Sequence, residues 1–152
     1  MLLRPLALTA LLLAARPLAA QHSYSSGAEF DPAVPTPRSV LGYEVGDRFT
    51  PHHRIVRYAE RLAATSARIR LDTVGVTFEG REVLVVVVTS EANRRRLSEI
   101  QADAQRVADA RGTVAELAQA SARLPAIVWL GFTVPGGDAS GTESSLAILY
   151  QL

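Results

Sequence analysis

Residues 126–143 read AIVWLGFTVPGGDASGTE, and the class of the chain turns on them. AIVWLGF (126–132) is an unbroken apolar run with β-branched and aromatic members, the pattern of a buried strand. TVPGGDA (133–139) is loop chemistry, with two adjacent glycines behind a proline. SGTE (140–143) has capping-box spacing, Ser140 as the cap and Glu143 three residues on. It opens an apolar helix through Leu146, Ile148, Leu149, Tyr150 and Leu152. Strand, loop and helix in that order form the unit of an open α/β sheet. Ligands in such sheets bind beyond the carboxyl ends of strands, where loops lead into helices.

Outward from there, sheet and helix patterns alternate. Leu71, Val74, Val76 and Phe78 partly alternate, Glu79 and Gly80 give a turn signal, and VLVVVV (83–88) is a second continuous apolar run. These predict a hairpin: a half-buried strand, a tight turn, then a strand buried on both faces. Ile55, Tyr58, Ala59 and Leu62 fall at helical spacing and predict an amphipathic helix over about 51–66, with Thr50 as N-cap and Pro51 at the first helical position. Leu97, Ile100, Ala104, Val107 and Ala108 share one face of a helix over about 93–110. Thr113 and Glu116 repeat the capping-box spacing and predict a short helix from 113 to 124, stopped by Pro125. The predicted class is α/β, a partial mixed β-sheet with flanking helices.

Before these elements, residues 22–48 read as an extended lead-in, polar and rich in Pro, Ser and Gly over 22–38 and loop-like over 42–48. Residues 1–21, MLLRPLALTALLLAARPLAAQ, have the layout of a secretory signal peptide: Arg4 in a short head, an apolar run, a breaker at Arg16 and Pro17, and a small-residue end. The apolar run is about ten residues, half of the roughly 20 that a membrane span needs. The expected location is therefore secreted or periplasmic, with no stable membrane span once the signal is removed. Residues 49–152 form the expected α/β domain.

Composition removes several chemistries. The 152 residues carry 16 basic and 15 acidic side chains, too even a balance for a nucleic-acid binder. All the basic residues are Arg, so a Schiff-base or phosphate-loop lysine is excluded. Cysteine is absent, which excludes disulfides, thiolate metal sites and cysteine nucleophiles. Only His22, His52 and His53 remain as imidazoles. His52 and His53 are adjacent in the first turn of a predicted helix and point about 100° apart, a poor arrangement for gripping one ion. Arg94, Arg95 and Arg96 read as a solvated charged face, with an anion site as the alternative.

For the loop itself, the residues leave three chemistries open. An anion cradle draws on Gly136, Gly137 and Gly141 before a helix start, but the spacing fits neither the phosphate-loop nor the dinucleotide pattern. A serine nucleophile at Ser140 lacks G-x-S-x-G flanks and a neighbouring base. A metal site would have Asp138 as its only nearby ligand.

Several stretches, in order, carry a family resemblance. They are Phe30, Asp31 and Pro32 with Leu41, Gly42 and Tyr43; the helix after Thr50; Phe78, Glu79, Gly80 and Arg81 in the turn between two strands; Val128 to Gly131; and Ala139 to Glu143. Together they resemble the N-terminal part of secreted bacterial zinc carboxypeptidases, the carboxypeptidase A-like metallopeptidases, over nearly all of the chain after the signal segment.

That resemblance implies an incomplete carboxypeptidase-like domain, zinc as the family cofactor, and proteolysis that releases C-terminal residues from a peptide or protein substrate. The family places a His-x-x-Glu motif directly before the last helix, and its His and Glu are zinc ligands. In this chain the His position is Pro135, which has no side-chain donor atom, and the Glu position is Asp138. Aspartate can bind a metal, with its oxygens drawn back by roughly 1.5 Å, one C–C bond. The family's later His, substrate-binding Arg and catalytic Glu would fall beyond Leu152, so no catalytic residue is assigned. The expected product is a truncated member with a degenerate zinc motif and no hydrolytic activity. The alternative is a secreted, non-catalytic module that binds a peptide or another protein. Without its later neighbours the AIVWLGF strand would present an apolar sheet edge, so self-association through that edge is a further expectation.

Overall fold

A computed structural model describes residue 27 and residues 29–152. The predicted signal peptide lies outside the described residues. The architecture is mixed α/β, with six helices and one two-stranded antiparallel sheet among the described residues. In chain order these are α1 (Pro37–Leu41), α2 (His52–Thr65), β1 (Ile69–Val76), β2 (Glu82–Val88), α3 (Glu91–Arg95), α4 (Leu97–Ala108), α5 (Val114–Arg123) and α6 (Ala139–Gln151).

The stretch read as an extended lead-in contains the first helix. Thr36 caps α1 by accepting from the Ser39 N–H, Pro37 takes the first helical position, and Gly42 closes the helix at φ 83°, where its N–H donates to the Arg38 carbonyl. Leu41 and Tyr43 then enter the core. At α2 the helical spacing is borne out, with Tyr58, Ala59 and Leu62 on the buried face. The cap is not where the sequence put it. Pro51 holds the cap position with no side-chain bond, because the hydroxyl of the fully buried Thr50 accepts from Tyr43 Oη at 3.1 Å instead.

β1 and β2 form the expected hairpin, in register from Ile69 opposite Val88 to Val76 opposite Glu82, with an irregularity between Thr73 and Gly75. Its turn is held by the Thr77 N–H on the Arg81 carbonyl at 2.7 Å and by Gly80 at φ 76°, a left-handed geometry that glycine adopts without steric cost. The expectation that β2 is buried on both faces fails. Its valines are half-buried or exposed, since the only ladder partner among the described residues is β1 and only Val86 and Val88 pack on the core.

The larger correction is to residues 126–132. They form no strand and the sheet is not three-stranded. An apolar, β-branched sequence supplies side chains for a ladder but does not by itself bring a neighbouring backbone alongside, and this segment forms no ladder with β1 or β2. Ile127, Val128, Trp129 and Leu130 are 65, 78, 78 and 52% exposed.

One apolar cluster, Leu41, Tyr43, Tyr58, Leu62, Ile69 and Leu146, joins the end of α1 and the loop after it to α2, β1 and α6. Phe30 stacks on Tyr150 of α6 at 4.8 Å between ring centres. A second, smaller unit is the helical pair α4–α5, whose buried Ile100 and Ala120 lie outside that cluster. The single helix expected over 93–110 is divided at Arg96 (φ −114°, ψ 24°), because Ser90 starts a separate short turn by capping the Asn93 N–H. Arg96 then reaches the Arg123 carbonyl at 2.9 Å. The predicted capping box at Thr113 and Glu116 is formed in both directions.

Candidate functional site

The loop over 133–138 and the first turn of α6 hold the residues the sequence singled out. Asp138, not Ser140, caps the helix. Its Oδ1 accepts from the Ser140 N–H at 2.9 Å and from the Ser140 hydroxyl at 2.6 Å. The shift has a geometric reason. A cap must stand outside the helix with its oxygen over the first free N–H groups, and the helix already begins at Ala139. The Ser140 hydroxyl bond, followed by the Gly141 N–H, holds the Asp138 carboxyl below the usual aspartate range. Asp138 is thus an anion stabilised by its own helix.

Two neighbours fix the loop around it. The Asp138 N–H donates to the Pro135 carbonyl at 2.9 Å, so Pro135 takes part through its backbone alone. At Gly141 a Cβ would stand 2.9 Å from Asp138 Oδ2 and 3.2 Å from the Thr133 nitrogen, so any larger residue would push on the capping carboxylate and crowd the loop backbone. Thr133 adopts φ 56°, an unusual value for a β-branched residue.

Glu143 leaves the predicted capping box altogether. Its carboxylate reaches across to the residues before α2, where Oε1 accepts from the Thr50 N–H at 2.7 Å and Oε2 from the Gly46 N–H at 3.3 Å. It therefore ties α6 to the loop before α2. No local pattern could have revealed this, because both donors lie more than ninety positions away in sequence.

Pro135 and Asp138 do not fit a zinc site of the resembled kind. Proline brings no donor, and the Asp138 oxygen nearest the helix is engaged twice. Among the described residues no three His, Asp or Glu side chains gather as a coordinating group. His52 and His53 stand in the first turn of α2, and the Ser140 hydroxyl donates its hydrogen bond to the Asp138 carboxylate. Of the three arginines, Arg95 and Arg96 make long pairs with Glu91 and Glu99, both at 3.8 Å, while the buried Arg94 Nε has no partner among the described residues.

Another grouping left no mark in the sequence pattern. Arg48 and Arg54 both lie over the ring of Tyr43, 4.8 and 5.7 Å from its centre. Arg48 is in a loop, so helical or strand periodicity could not have paired it with Arg54. No family model, no curated protein and no solved structure matches the chain.

Proposed function

We propose that the chain is a secreted, zinc-carboxypeptidase-like scaffold with a degenerate metal motif that does not itself release C-terminal residues from peptides. One observation supports this reading above the others. At the positions of the family's first two ligands, Pro135 has no donor side chain and the Asp138 carboxylate is engaged in capping α6. The hydrolysis needs three protein ligands and an open position where zinc-bound water attacks. A proline and a capped aspartate supply at most one of these, and a cation on Asp138 would compete with the two bonds that Oδ1 accepts in capping α6.

The test is zinc uptake by the mature chain in equilibrium dialysis, with release of amino acids from N-blocked dipeptides measured in parallel. No stoichiometric zinc and no released amino acid are expected. Tight one-to-one uptake with trimming of the dipeptides would overturn the proposal. The double variant Pro135→His with Asp138→Glu restores the family's ligand pair. It should take up zinc more tightly than the parent chain, and no gain would count against the resemblance itself.

Residues 126–132 favour a second reading, a non-catalytic module that binds a peptide or another protein. Their backbone has no ladder partner among the described residues, and an extended peptide laid alongside would supply one. A peptide that raises the melting temperature of the chain without zinc supports this reading. The absence of any shift across a peptide mixture counts against it.

A further inference from the structure

Arg48 and Arg54 approach one aromatic platform from a loop and from the first turn of α2. The platform is rigid: Tyr43 is 9% exposed, and its hydroxyl is fixed on Thr50. Arg54 spends one N–H on the Leu41 carbonyl at 2.9 Å. Neither guanidinium has a carboxylate within ion-pair distance, although every Asp and Glu of the chain lies at Glu29 or later. The acids nearest in sequence are engaged elsewhere. Glu44 accepts from Arg38 at 2.6 Å, and Asp47 accepts the Glu44 N–H at 3.1 Å.

Among the described residues the Arg48 side chain makes no hydrogen bond and that of Arg54 makes one, so N–H groups of both remain for an oxygen ligand. Two like charges gathered on one ring also repel each other, and an anion between them would remove that repulsion. Both arginines line an open cleft of about 380 Å³, together with Gly42, Pro51 and the 60% exposed Phe49. Planar N–H forks match the oxygens of carboxylate and phosphate, and Phe49 offers an apolar surface beside them.

We propose that this cleft binds a small organic anion, its carboxylate or phosphate head held by Arg48 and Arg54 and its apolar body laid against Phe49. The inference does not rest on the carboxypeptidase-like reading. Calorimetric titration of the full chain tests it with four probes: phenyl phosphate, benzoate, inorganic phosphate and benzyl alcohol. Phenyl phosphate and benzoate should bind one-to-one, inorganic phosphate more weakly, and benzyl alcohol not at all. Arg48→Gln and Arg54→Gln should each weaken phenyl phosphate by about fivefold, the upper end for an exposed charge pair. Arg57→Gln removes the same charge from the same helix outside the cleft and should change nothing. Phe49→Ala should bring phenyl phosphate down towards inorganic phosphate. Because Arg54 also braces Leu41, Arg48→Gln decides the matter if Arg54→Gln fails to fold. Equal weakening by Arg57→Gln, or no saturable binding of any anionic probe, would overturn the proposal.

Discussion

Tyr58 is the largest fully buried side chain of the cluster, and its hydroxyl donates to the Pro35 carbonyl at 3.2 Å. Burial pushes the phenol well above its ordinary value, and the nearby Tyr150 adds to the shift. The fold therefore holds the neutral form more strongly than the unfolded chain does. That contribution is complete below the unfolded value near pH 10 and is lost as pH rises through the folded value. Tyr58→Phe should cost about 1 kcal/mol at neutral pH, the worth of one hydrogen bond. It should also flatten the decline in stability above about pH 10. Thermal melts of both proteins across the alkaline range check this, and an unchanged alkaline decline in the variant would refute it. Helical spacing in the sequence already placed Tyr58 on the buried face. The partner at Pro35 was not legible, because the stretch around it gave only signs of extension.

At the scale of elements, the brace from α6 to the loop before α2 is a single side chain. Removing Glu143 leaves the N–H of the fully buried Thr50 without its partner. Glu143→Ala should therefore destabilise the chain by about 2 kcal/mol, a typical cost for an orphaned buried donor, and Glu143→Gln by less because an oxygen remains. Denaturant titrations of the two variants check the order. The α4–α5 pair has its own electrostatic joint. Arg123 donates to both oxygens of Asp103, at 3.1 and 2.9 Å, and holds that carboxyl below the usual aspartate range. A depressed folded value gives stability that is present above the unfolded value and lost as pH falls through the folded one. Acidification should thus loosen α4–α5 before the main cluster, and Asp103→Asn should reduce that sensitivity, the rest belonging to the Glu116 carboxyl that Thr113 also holds low. Amide exchange of the two units as a function of pH reads this directly. Elements closed by neighbours in sequence were legible: the turn through Gly80, the capping box at Thr113, the face of α2. Elements whose limits depend on distant groups were not. Arg96 divides a helix while reaching Arg123, and Ser140 yields its cap to Asp138 because the start of α6 is fixed by the loop behind it.

For the molecule as a whole, the question is what covers residues 126–132. Their composition is that of a core strand, and sequence alone cannot distinguish a strand with a partner from one without. Ile127, Val128, Trp129 and Leu130 are all more than half exposed, and the segment carries no charge and no proline. Uncharged, β-prone segments with free backbone groups pair with copies of themselves, and native edges normally block this with charges or a covering element. Neither device is present here among the described residues. The chain should therefore associate as its concentration rises. Trp129, the only tryptophan, reports on the event because its solvated indole emission would shift to the blue as the segment is covered. Val128→Lys places a charge in the pairing stretch and should keep the chain monomeric without loss of fold, since Val128 is 78% exposed and outside the apolar cluster. Sedimentation of the two proteins over a range of concentrations decides the matter. A parent chain that stays monomeric throughout, with its indole emission unchanged, would mean that solvent alone satisfies this stretch.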